Sequence, residues 1–443
     1  MNGLPTYRRI WNVSLPIMVS VLAQDLIQVV DTAFLGRVGE IELGASAIGG
    51  LFYFLLFILA FGFGTGTQII IGRRNGEKDY KAIGKVMDQS LYFLMVVALL
   101  VFLAIITSTG PVMRMLLASD EVAKASEAYL DVRIWGLFFA CLNIAFRAFF
   151  VGIAKTKVLI WNAFFMAGIN VLFDYALIFG KLGMPEMGLK GAALASVLAE
   201  ATSTLFFFIY TYRVVDIGKY DIFRFSRPDV ETVKKILNVS VFIMIQFALS
   251  MAAWFTFFLI IEKLGERELA ISNIIRSIYM LLIIPVWAFG STTSTLVSNI
   301  IGEGHKDKVL PLIYRVLWLT MASIGVIAIL GAIAPVTLLR IYTQDAGLIA
   351  EALPVLYVIL GAITFFGAAN IFFHGVAGTA NTRVSMWIEI ITLTFYLGVA
   401  FVLGIILKVP VAQVWYCEYV YFLIMGSLSW RYLKSGKWKS FAI

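Results

Sequence analysis

Cysteine, histidine and charge are scarce in this sequence, and each scarcity excludes a class of function. Two cysteines and two histidines in 443 residues indicate neither a disulfide framework nor a Cys/His metal site. Charged residues make up 14% and hydrophobic residues 61%, whereas soluble domains are roughly 25% charged and 45–50% apolar. A water-soluble globule is therefore excluded. No Gly-rich phosphate loop and no Gly-x-Ser-x-Gly elbow occur, so the common nucleotide-binding and hydrolase motifs are absent.

The dominant feature is a series of apolar segments that are long enough to cross a bilayer. Such segments are helical because a helix satisfies its own backbone hydrogen bonds in lipid. The sequence therefore predicts an all-α membrane protein with twelve transmembrane helices. The segments span about 10–35, 43–71, 86–108, 128–153, 158–179, 189–213, 233–261, 270–300, 310–332, 350–377, 385–407 and 411–433.

The positive charges indicate the orientation of these segments. Both termini and the loops after the even-numbered segments hold more than twice as many Lys and Arg residues as the other loops. Because cytoplasmic loops carry an excess of Lys and Arg, we expect both termini in the cytoplasm. A net charge of +8 then reflects membrane topology, and no nucleic-acid partner is expected.

The two halves of the chain resemble each other. WNVSLPIM at 11–18 matches LNVSVFIM at 237–244, and GIAKTKVLIW at 152–161 matches GTANTRVSMW at 378–387, both at a spacing of 226 residues. Phe61-Gly62 matches Phe289-Gly290 at a spacing of 228, which predicts a two-residue slip near Pro285. We expect two pseudo-symmetric six-helix bundles, as in transporters built from parallel repeats. The predicted division is an N-lobe at 1–217, a cytoplasmic linker at 218–232 and a C-lobe at 233–443.

Ionisable residues inside the apolar segments are the candidates for function, because an acid is costly in hydrocarbon. Asp31 lies in the first segment, and Asn170 and Asp174 share one face of the fifth. Both segments run outward, so the two acids lie at similar depths and could converge, with Ser196 of the sixth segment beside them. A buried carboxylate pair can exchange protons, or can bind Na⁺ when both acids are charged. We predict a cation-coupling site for H⁺ or Na⁺ and no other cofactor.

Several further polar residues are candidates for contact with a substrate. Pro16 interrupts the first segment, either as a static kink or as the point where that helix bends. Gln24 and Gln28 lie on the same helix face as Asp31, where they either form hydrogen bonds between helices or contact the substrate. Asn143 in the fourth segment is a further candidate for the substrate pocket.

Four charged residues are candidates for secondary or gating roles. Asp25 lies on another face of the first segment, where it either contacts the bound ion or substrate directly or supports a residue that does. Arg147 is expected to close the inner face, and Glu200 is either a structural or a functional membrane acid. Glu389 follows Arg383 closely and either reaches the interface or acts within the membrane.

Taken together, these features resemble the multidrug and toxic compound extrusion (MATE) family. The motifs that carry the resemblance are DTAFLG at 31–36, FGFGTGT at 61–67, FRAFFVG at 146–152, Asn170 with Asp174, and the second-half counterpart at 289–304. The resemblance covers essentially the whole chain. It implies the MATE/MOP exporter fold, with two lobes in a V shape, and export of cationic drugs driven by inward H⁺ or Na⁺.

The resemblance also favours one branch of the family. Asp31, Asn170 and Asp174 match the N-lobe site of the DinF-like prokaryotic branch, while the acids that another branch has on segments 7 and 10 are absent. The hydroxyl of segment 6 is usually Thr in that branch, and Ser196 takes its place here. Glu389 lies outside the common pattern.

The resulting prediction is a monomeric secondary antiporter, not an enzyme, that exports organic cations or other amphipathic small molecules by alternating access. Two alternatives remain open. A MOP-type flippase for a lipid-linked glycan would need a strongly cationic cavity, yet Arg147 and Arg276 are the only well-embedded cations. An intramembrane prenyl transferase would need clustered Asp motifs for Mg²⁺, and none occurs within the apolar segments.

Overall fold

The computed structural model describes residues 4–441, and all regular elements in that range are helical. The first half contains α1 (Tyr7–Leu35), α2 (Glu40–Gly76), α3 (Tyr80–Leu116), α4 (Asp120–Arg133), α5 (Gly136–Gly152), α6 (Val158–Ile178), α7 (Gly188–Val214) and the short α8 (Ile217–Tyr220). The second half contains α9 (Val230–Glu262), α10 (Glu266–Leu282), α11 (Ile284–Gly302), α12 (Val309–Ile333), α13 (Pro335–Arg340), α14 (Ala346–Gly378), α15 (Thr382–Phe401), α16 (Val411–Val414) and α17 (Cys417–Ser435). A π-helical turn, Val402–Ile406, continues α15.

Many of these helices can cross a membrane. Between residues 4 and 441, nine helices are long and apolar enough, and the number rises to eleven if each of two bent pairs counts as one span. The bent pairs are α4 with α5, at 51°, and α10 with α11, at 44°. The twelfth predicted segment corresponds to α17, whose 19 residues include three charged ones, Glu418, Arg431 and Lys434.

The chain divides into two compact units. One, the N-unit, is Val19–Ser240, and the other, the C-unit, consists of the described residues of Met1–Met18 and Val241–Ile443. The chain therefore passes from one unit to the other inside α1 and again inside α9. The lobes at 1–217 and 233–443 and the linker at 218–232 stay a prediction.

Equivalent glycine contacts show the internal repeat directly. In the N-unit, a Cβ on Gly152 would lie 2.6 Å from Ile71 Cγ2 and 3.0 Å from the Gln68 carbonyl oxygen. In the C-unit, a Cβ on Gly378 would lie 2.9 Å from Val297 Cβ and 2.7 Å from the Ser294 carbonyl oxygen. Each residue differs from its counterpart by 226 positions. Only glycine allows helices to approach this closely, so the same helix crossing is built twice.

The predicted two-residue slip near Pro285 is wrong. The turn after α2 has Glu77 N–H donating to the Arg73 carbonyl, and the turn after α11 has Glu303 N–H donating to the Asn299 carbonyl. Both pairs again differ by 226 positions. The break between α10 and α11 bends the chain without adding residues, so one register runs through both halves. The match at 228 arose because the Gly/Thr-rich stretches of the two halves can be aligned with each other at more than one spacing.

The loop after α8 is attached to α3 within the N-unit. The Asp88 carboxylate accepts hydrogen bonds from the backbone N–H groups of Phe223, at 3.1 Å, and Phe225, at 3.0 Å. Both phenylalanines have positive φ, 61° and 43°, a conformation that is costly for a bulky residue. The two hydrogen bonds offset that cost. Nearby, Lys85 pairs with Asp229 at 2.5 Å and holds the pKa of Asp229 well below its usual range.

Candidate functional site

The N-unit brings together three residues that the sequence places in one candidate site. Asp31 projects from α1, and Asn170 and Asp174 project one turn apart from α6. With its amide nitrogen turned toward the acids, Asn170 donates to Asp31 Oδ1 at 3.0 Å and to Asp174 Oδ2 at 3.2 Å. The two carboxyl groups, both in contact with the Asn170 amide, thus lie close enough to share a proton. Asp174 and Asn170 are 0% and 1% exposed, while Asp31 is half-buried.

This carboxyl pair has a direct chemical consequence. A hydrogen bond between two carboxyl groups requires a proton on one of them, because an ionised carboxylate is only an acceptor. Two full charges this close would repel strongly where solvent is excluded. Two carboxyl groups this close would bind and release protons as a unit. In addition, Asp174 Oδ1 is buried without a hydrogen-bond partner. One carboxyl oxygen of the site can therefore accept a further hydrogen bond.

Ser196, the hydroxyl expected beside the pair, lies half-buried on α7. Among the hydrogen bonds of residues 4–441, none joins Ser196 to either acid. The α7 residues that pack near the pair are Ala192 and Ala193, which share a buried cluster with Leu35 and Ile178. These last two residues follow Asp31 and Asp174 by one helical turn, and Ser196 follows Ala192 by one turn on α7, which runs antiparallel to α6. Ser196 therefore lies near the depth of the pair without a hydrogen bond to it. A coupling role for Ser196 stays a prediction.

A buried ion pair, missed by the sequence reasoning, lies beside the site. Arg133 at the end of α4 makes two hydrogen bonds to Glu200 on α7, at 2.9 and 2.6 Å. The Arg133 guanidinium also lies 3.7 Å from the ring centre of Tyr53, whose hydroxyl donates to Glu200 at 3.2 Å. Tyr129, one turn before Arg133, interacts electrostatically with this pair and with both aspartates. Glu200 thus belongs to a structural network that borders the carboxyl pair.

The candidate substrate contacts differ in their surroundings. Asn143 on α5 is engaged in the protein, donating to the Glu200 carbonyl at 3.1 Å and accepting from Thr204 at 2.9 Å. Gln24 and Gln28 are exposed on α1, and Asp25 is half-buried. Pro16 is buried within α1, which continues as one helix from Tyr7 to Leu35. The glutamines therefore remain open to a ligand, whereas Asn143 ties α5 to α7.

Arg147 and Glu389 are held in different ways. Arg147 on α5 is half-buried, with its guanidinium 5.1 Å from the ring centre of Phe61. Glu389 on α15 is only 3% exposed and accepts hydrogen bonds from Ser250, at 2.6 Å, and Tyr421, at 2.7 Å. The interpretation that Glu389 reaches the membrane interface is therefore wrong. Helix packing buries it against α9 and α17 although it follows Arg383 by less than two turns.

Glu418 on α17 is a second buried acid of the C-unit, which the sequence reasoning missed. It is 4% exposed and accepts from the Tyr396 hydroxyl at 3.1 Å. The available signal was an acid within the twelfth predicted apolar segment, 411–433. In the part of the chain that the structure describes, no group of three or more His, Cys, Asp or Glu residues could hold a metal ion.

Comparison with known proteins identifies the family. The model of the MatE family matches residues 16–176 and again residues 242–402. The chain belongs to the MatE family. The two matches are themselves 226 residues apart, in agreement with the repeat register. Members of the MatE family are transporters, so the chain is a membrane transporter and not an enzyme.

Curated relatives and solved structures agree with MatE membership. A probable multidrug resistance protein NorM of Thermotoga maritima is 25% identical over 97% of this chain and 92% of its own length. The YoeA protein of Bacillus subtilis, also described as a probable multidrug resistance protein, is 24% identical over 90% of this chain and 87% of its own.

Among solved structures, a MOP superfamily transporter from Pyrococcus furiosus has a TM-score of 0.88 at 19% identity, covering 98% of this chain and 96% of that one. A MATE protein in its straight conformation has a TM-score of 0.90 at 18% identity, with the same coverage. The predicted all-α exporter fold is confirmed.

Proposed function

We propose that this transporter exports cationic and other amphipathic compounds by cation-coupled antiport with alternating access. The coupling site is the Asp31–Asp174 pair, and the coupling ion is H⁺ in preference to Na⁺. The substrate class is supported by the relatives, which are described as probable multidrug resistance proteins. The site is supported by the close approach of the two carboxyl groups, which both contact the Asn170 amide, at 3.0 and 3.2 Å; this is the observation that carries the proposal.

The carboxyl pair can carry one proton without any rearrangement of its backbone. With one proton the pair has a charge of about −1, and without it about −2, since each free carboxylate carries one charge. Asn170 can donate to both acids, at 3.0 and 3.2 Å, so it stabilises the pair in either state. Gain or loss of one proton thus changes the charge of a largely buried site and little else.

This change in charge can drive export. A ligand shifts a conformational equilibrium only through its different affinities for the two states. The deprotonated pair attracts a cationic substrate, and the protonated pair attracts it less. In the expected orientation, with both termini cytoplasmic, the inward proton gradient reprotonates the pair from outside and so favours release of substrate there. Bending of α1 near Pro16 is the expected conformational step.

The choice of H⁺ over Na⁺ follows from the same contact. A sodium ion would need both carboxylates charged and separated to coordinate it, with the Asn170 carbonyl turned toward the ion. The contact between the carboxyl groups instead favours the state that holds a proton. The assignment to the DinF-like branch remains part of this proposal and is supported by the grouping of Asp31, Asn170 and Asp174.

The test is ethidium efflux from energised vesicles, with the proton and sodium gradients collapsed separately. We expect efflux to stop when the proton gradient is removed, and to be abolished by Asp31→Asn and by Asp174→Asn. Asp131→Asn is the matched control, because it makes the same chemical change at an exposed position of α4 in the same unit. Efflux that survives Asp31→Asn would refute the coupling role, and efflux that depends on sodium alone would refute the choice of ion.

The flippase alternative finds no support among the described residues. A lipid-linked glycan carries pyrophosphate and would need unpaired buried cations. Arg133 is neutralised by Glu200 and Arg276 is exposed. Of these three, Arg147 remains, half-buried 5.1 Å from the ring centre of Phe61, and one such cation does not make a strongly cationic cavity. The same vesicles address this alternative directly, since absent ethidium efflux together with translocation of a lipid-linked sugar would favour it.

A further inference from the structure

Two buried carboxyl groups of the C-unit take no part in the Asp31–Asp174 site. Glu389 and Glu418 are 3% and 4% exposed. Glu389 accepts from the hydroxyls of Ser250, at 2.6 Å, and Tyr421, at 2.7 Å. Glu418 accepts from the Tyr396 hydroxyl at 3.1 Å, and Tyr279 also lies near it. Four hydroxyl side chains from four helices thus converge on two acids.

Tyr421 connects the two acids. It hydrogen-bonds Glu389, and its ring packs edge-on against Tyr396, the partner of Glu418, with ring centres 5.5 Å apart. Glu418 precedes Tyr421 by three residues on α17. Residues three apart share one face of a helix. The two carboxyls and the phenol between them therefore form one local network rather than two isolated hydrogen bonds.

The groups around this network leave its charge uncompensated. From α9 it meets Ser250, from α10 Tyr279, from α15 Tyr396, and from α17 Tyr421 and Cys417. Within residues 4–441, no Lys, Arg or His side chain hydrogen-bonds either carboxyl.

The charged side chains and the histidine of α10 and α14, all within the described residues, make no hydrogen bond to either carboxyl. Arg276 of α10 is exposed and lies 5.1 Å from the ring centre of Phe258. On α14, Glu351 is paired with Arg267 at 2.7 Å, and the His374 ring lies against Gly290, with its Nδ1 atom buried and without a hydrogen-bond partner. A buried carboxylate without a cationic partner is costly, and binding of a proton removes that cost.

Hydroxyl partners suit a carboxyl that changes its protonation state. A phenol or alcohol donates to an ionised carboxylate and, after rotation of its O–H bond, accepts from the protonated acid. An arginine or lysine can only donate and would therefore hold the carboxylate in its charged form. The network can bind or release a proton without losing its hydrogen bonds.

The internal repeat gives an independent reason to regard this place as a site. Tyr396 stands 226 positions after Asn170, the residue that reaches both acids in the N-unit. The counterparts of Asp31 and Asp174 are Phe257 and Ala400, so the acids of the N-unit are not repeated. In both units, however, the residue at this repeat position hydrogen-bonds a buried carboxyl, and in the C-unit α17 supplies that carboxyl.

A row of polar side chains leads from Glu389 to one end of α15. Ser250 hydrogen-bonds Glu389 and also the Gln246 carbonyl, at 2.9 Å. The Gln246 amide donates to Ser385 at 2.9 Å and to the Thr382 carbonyl at 3.2 Å, in the first turn of α15. These contacts join α9 to α15 between Glu389 and the helix end.

We propose that Glu389 and Glu418, joined by Tyr421, form a second proton-exchange site, which lies in the C-unit and is separate from the Asp31–Asp174 pair. A proton from water binds a carboxylate oxygen and forms a carboxylic acid, and the reverse step returns it to water. The site does not depend on the function proposed for the Asp31–Asp174 pair. It gives the C-unit a protonation equilibrium of its own.

Infrared difference spectroscopy of the full-length purified protein tests this proposal without any transport assay. The Asp31→Asn/Asp174→Asn background removes the N-unit carboxyls, and the spectra are recorded between acidic and alkaline pH. We expect a carboxylic-acid C=O band that changes with pH and that disappears when Glu389→Gln and Glu418→Gln are added. Glu262→Gln, at the exposed end of α9, is the matched control and should leave the band unchanged.

Tyr421→Phe keeps both acids and provides the second variant in case the glutamine variants do not fold. It removes one hydrogen bond to Glu389, so the same band should shift in frequency. A background without a pH-dependent band, or a band that persists in the glutamine variants, would overturn the proposal. So would a band that Tyr421→Phe leaves in place. None of these results depends on whether ethidium is exported.

Discussion

The Arg133–Glu200 pair permits the sharpest prediction of stability. Its side chains are 11% and 9% exposed, and the closer of their two hydrogen bonds is 2.6 Å long. Breaking a buried ion pair by removing one partner costs about 3–5 kcal/mol, because the other charge stays buried and unpaired. Arg133→Gln and Glu200→Gln should therefore each lower the free energy of unfolding by about that amount. The double variant should lose much less than the sum, since no uncompensated charge remains.

The assay is equilibrium unfolding of the purified protein in mixed micelles, with the four proteins of the double-mutant cycle compared. The exposed pair Glu231–Lys235 is the control in the same unit, with an N–O distance of 3.0 Å and side chains 77% and 54% exposed. Such a pair contributes about 0.3–0.5 kcal/mol. Equal and additive losses at Arg133 and Glu200 would refute the reasoning, because additivity would mean that the two charges do not compensate each other.

Three further predictions concern packing and the loop after α8. Asp88→Ala leaves the Phe223 and Phe225 N–H groups unpaired, which costs about 1–3 kcal/mol each. A protease should therefore cut the loop at 221–229 faster than it does in the control Asp79→Ala, which removes only the N-terminal cap of α3. The Lys85–Asp229 pair lowers the folded-state pKa of Asp229. The stabilisation that the pair gives the loop is therefore complete above the ordinary pKa of 3.8 and is lost as the pH falls through the lower folded-state pKa. Wild type and Lys85→Gln should therefore differ in loop proteolysis near neutral pH and converge only in strong acid; a constant difference would contradict this. Gly378→Ala places a Cβ 2.7 Å from the Ser294 carbonyl oxygen and should destabilise the folded protein by about 1–3 kcal/mol, measured by thermal unfolding. The control Gly398→Ala, whose Cβ meets nothing within 4 Å, should leave the unfolding temperature unchanged.

The spans and the repeat could be predicted from sequence because both depend on local patterns. Hydropathy over about 20 residues reflects the thickness of the bilayer, so it locates helices without any knowledge of their neighbours. The grouping of Asp31 with Asn170 and Asp174 needed only one helical face and the direction of two helices. The register of 226 was visible in GIAKTKVLIW, whereas the Gly/Thr-rich stretch near Phe289 fitted a wrong spacing.

The residues that were missed depend on how helices rotate against each other. Nothing in the sequence near Arg133 indicates that α7 turns Glu200 toward it, and nothing near Glu389 indicates that Ser250 and Tyr421 will enclose it. Proximity to Arg383 suggested an interfacial Glu389, but the tight packing of α15 on α17 buries it. Partners of a membrane charge follow from packing angles, which hydrophobic periodicity does not specify.

The central claim is that the Asp31–Asp174 pair exchanges a proton in response to substrate. Its most direct test is the release of protons when ethidium is added to the purified, detergent-solubilised protein in weakly buffered solution, measured with a pH indicator. We predict release by wild type and by Asp131→Asn, and none by Asp31→Asn or Asp174→Asn. Equal release by all four proteins would contradict the account, because the displaced proton would then come from another group.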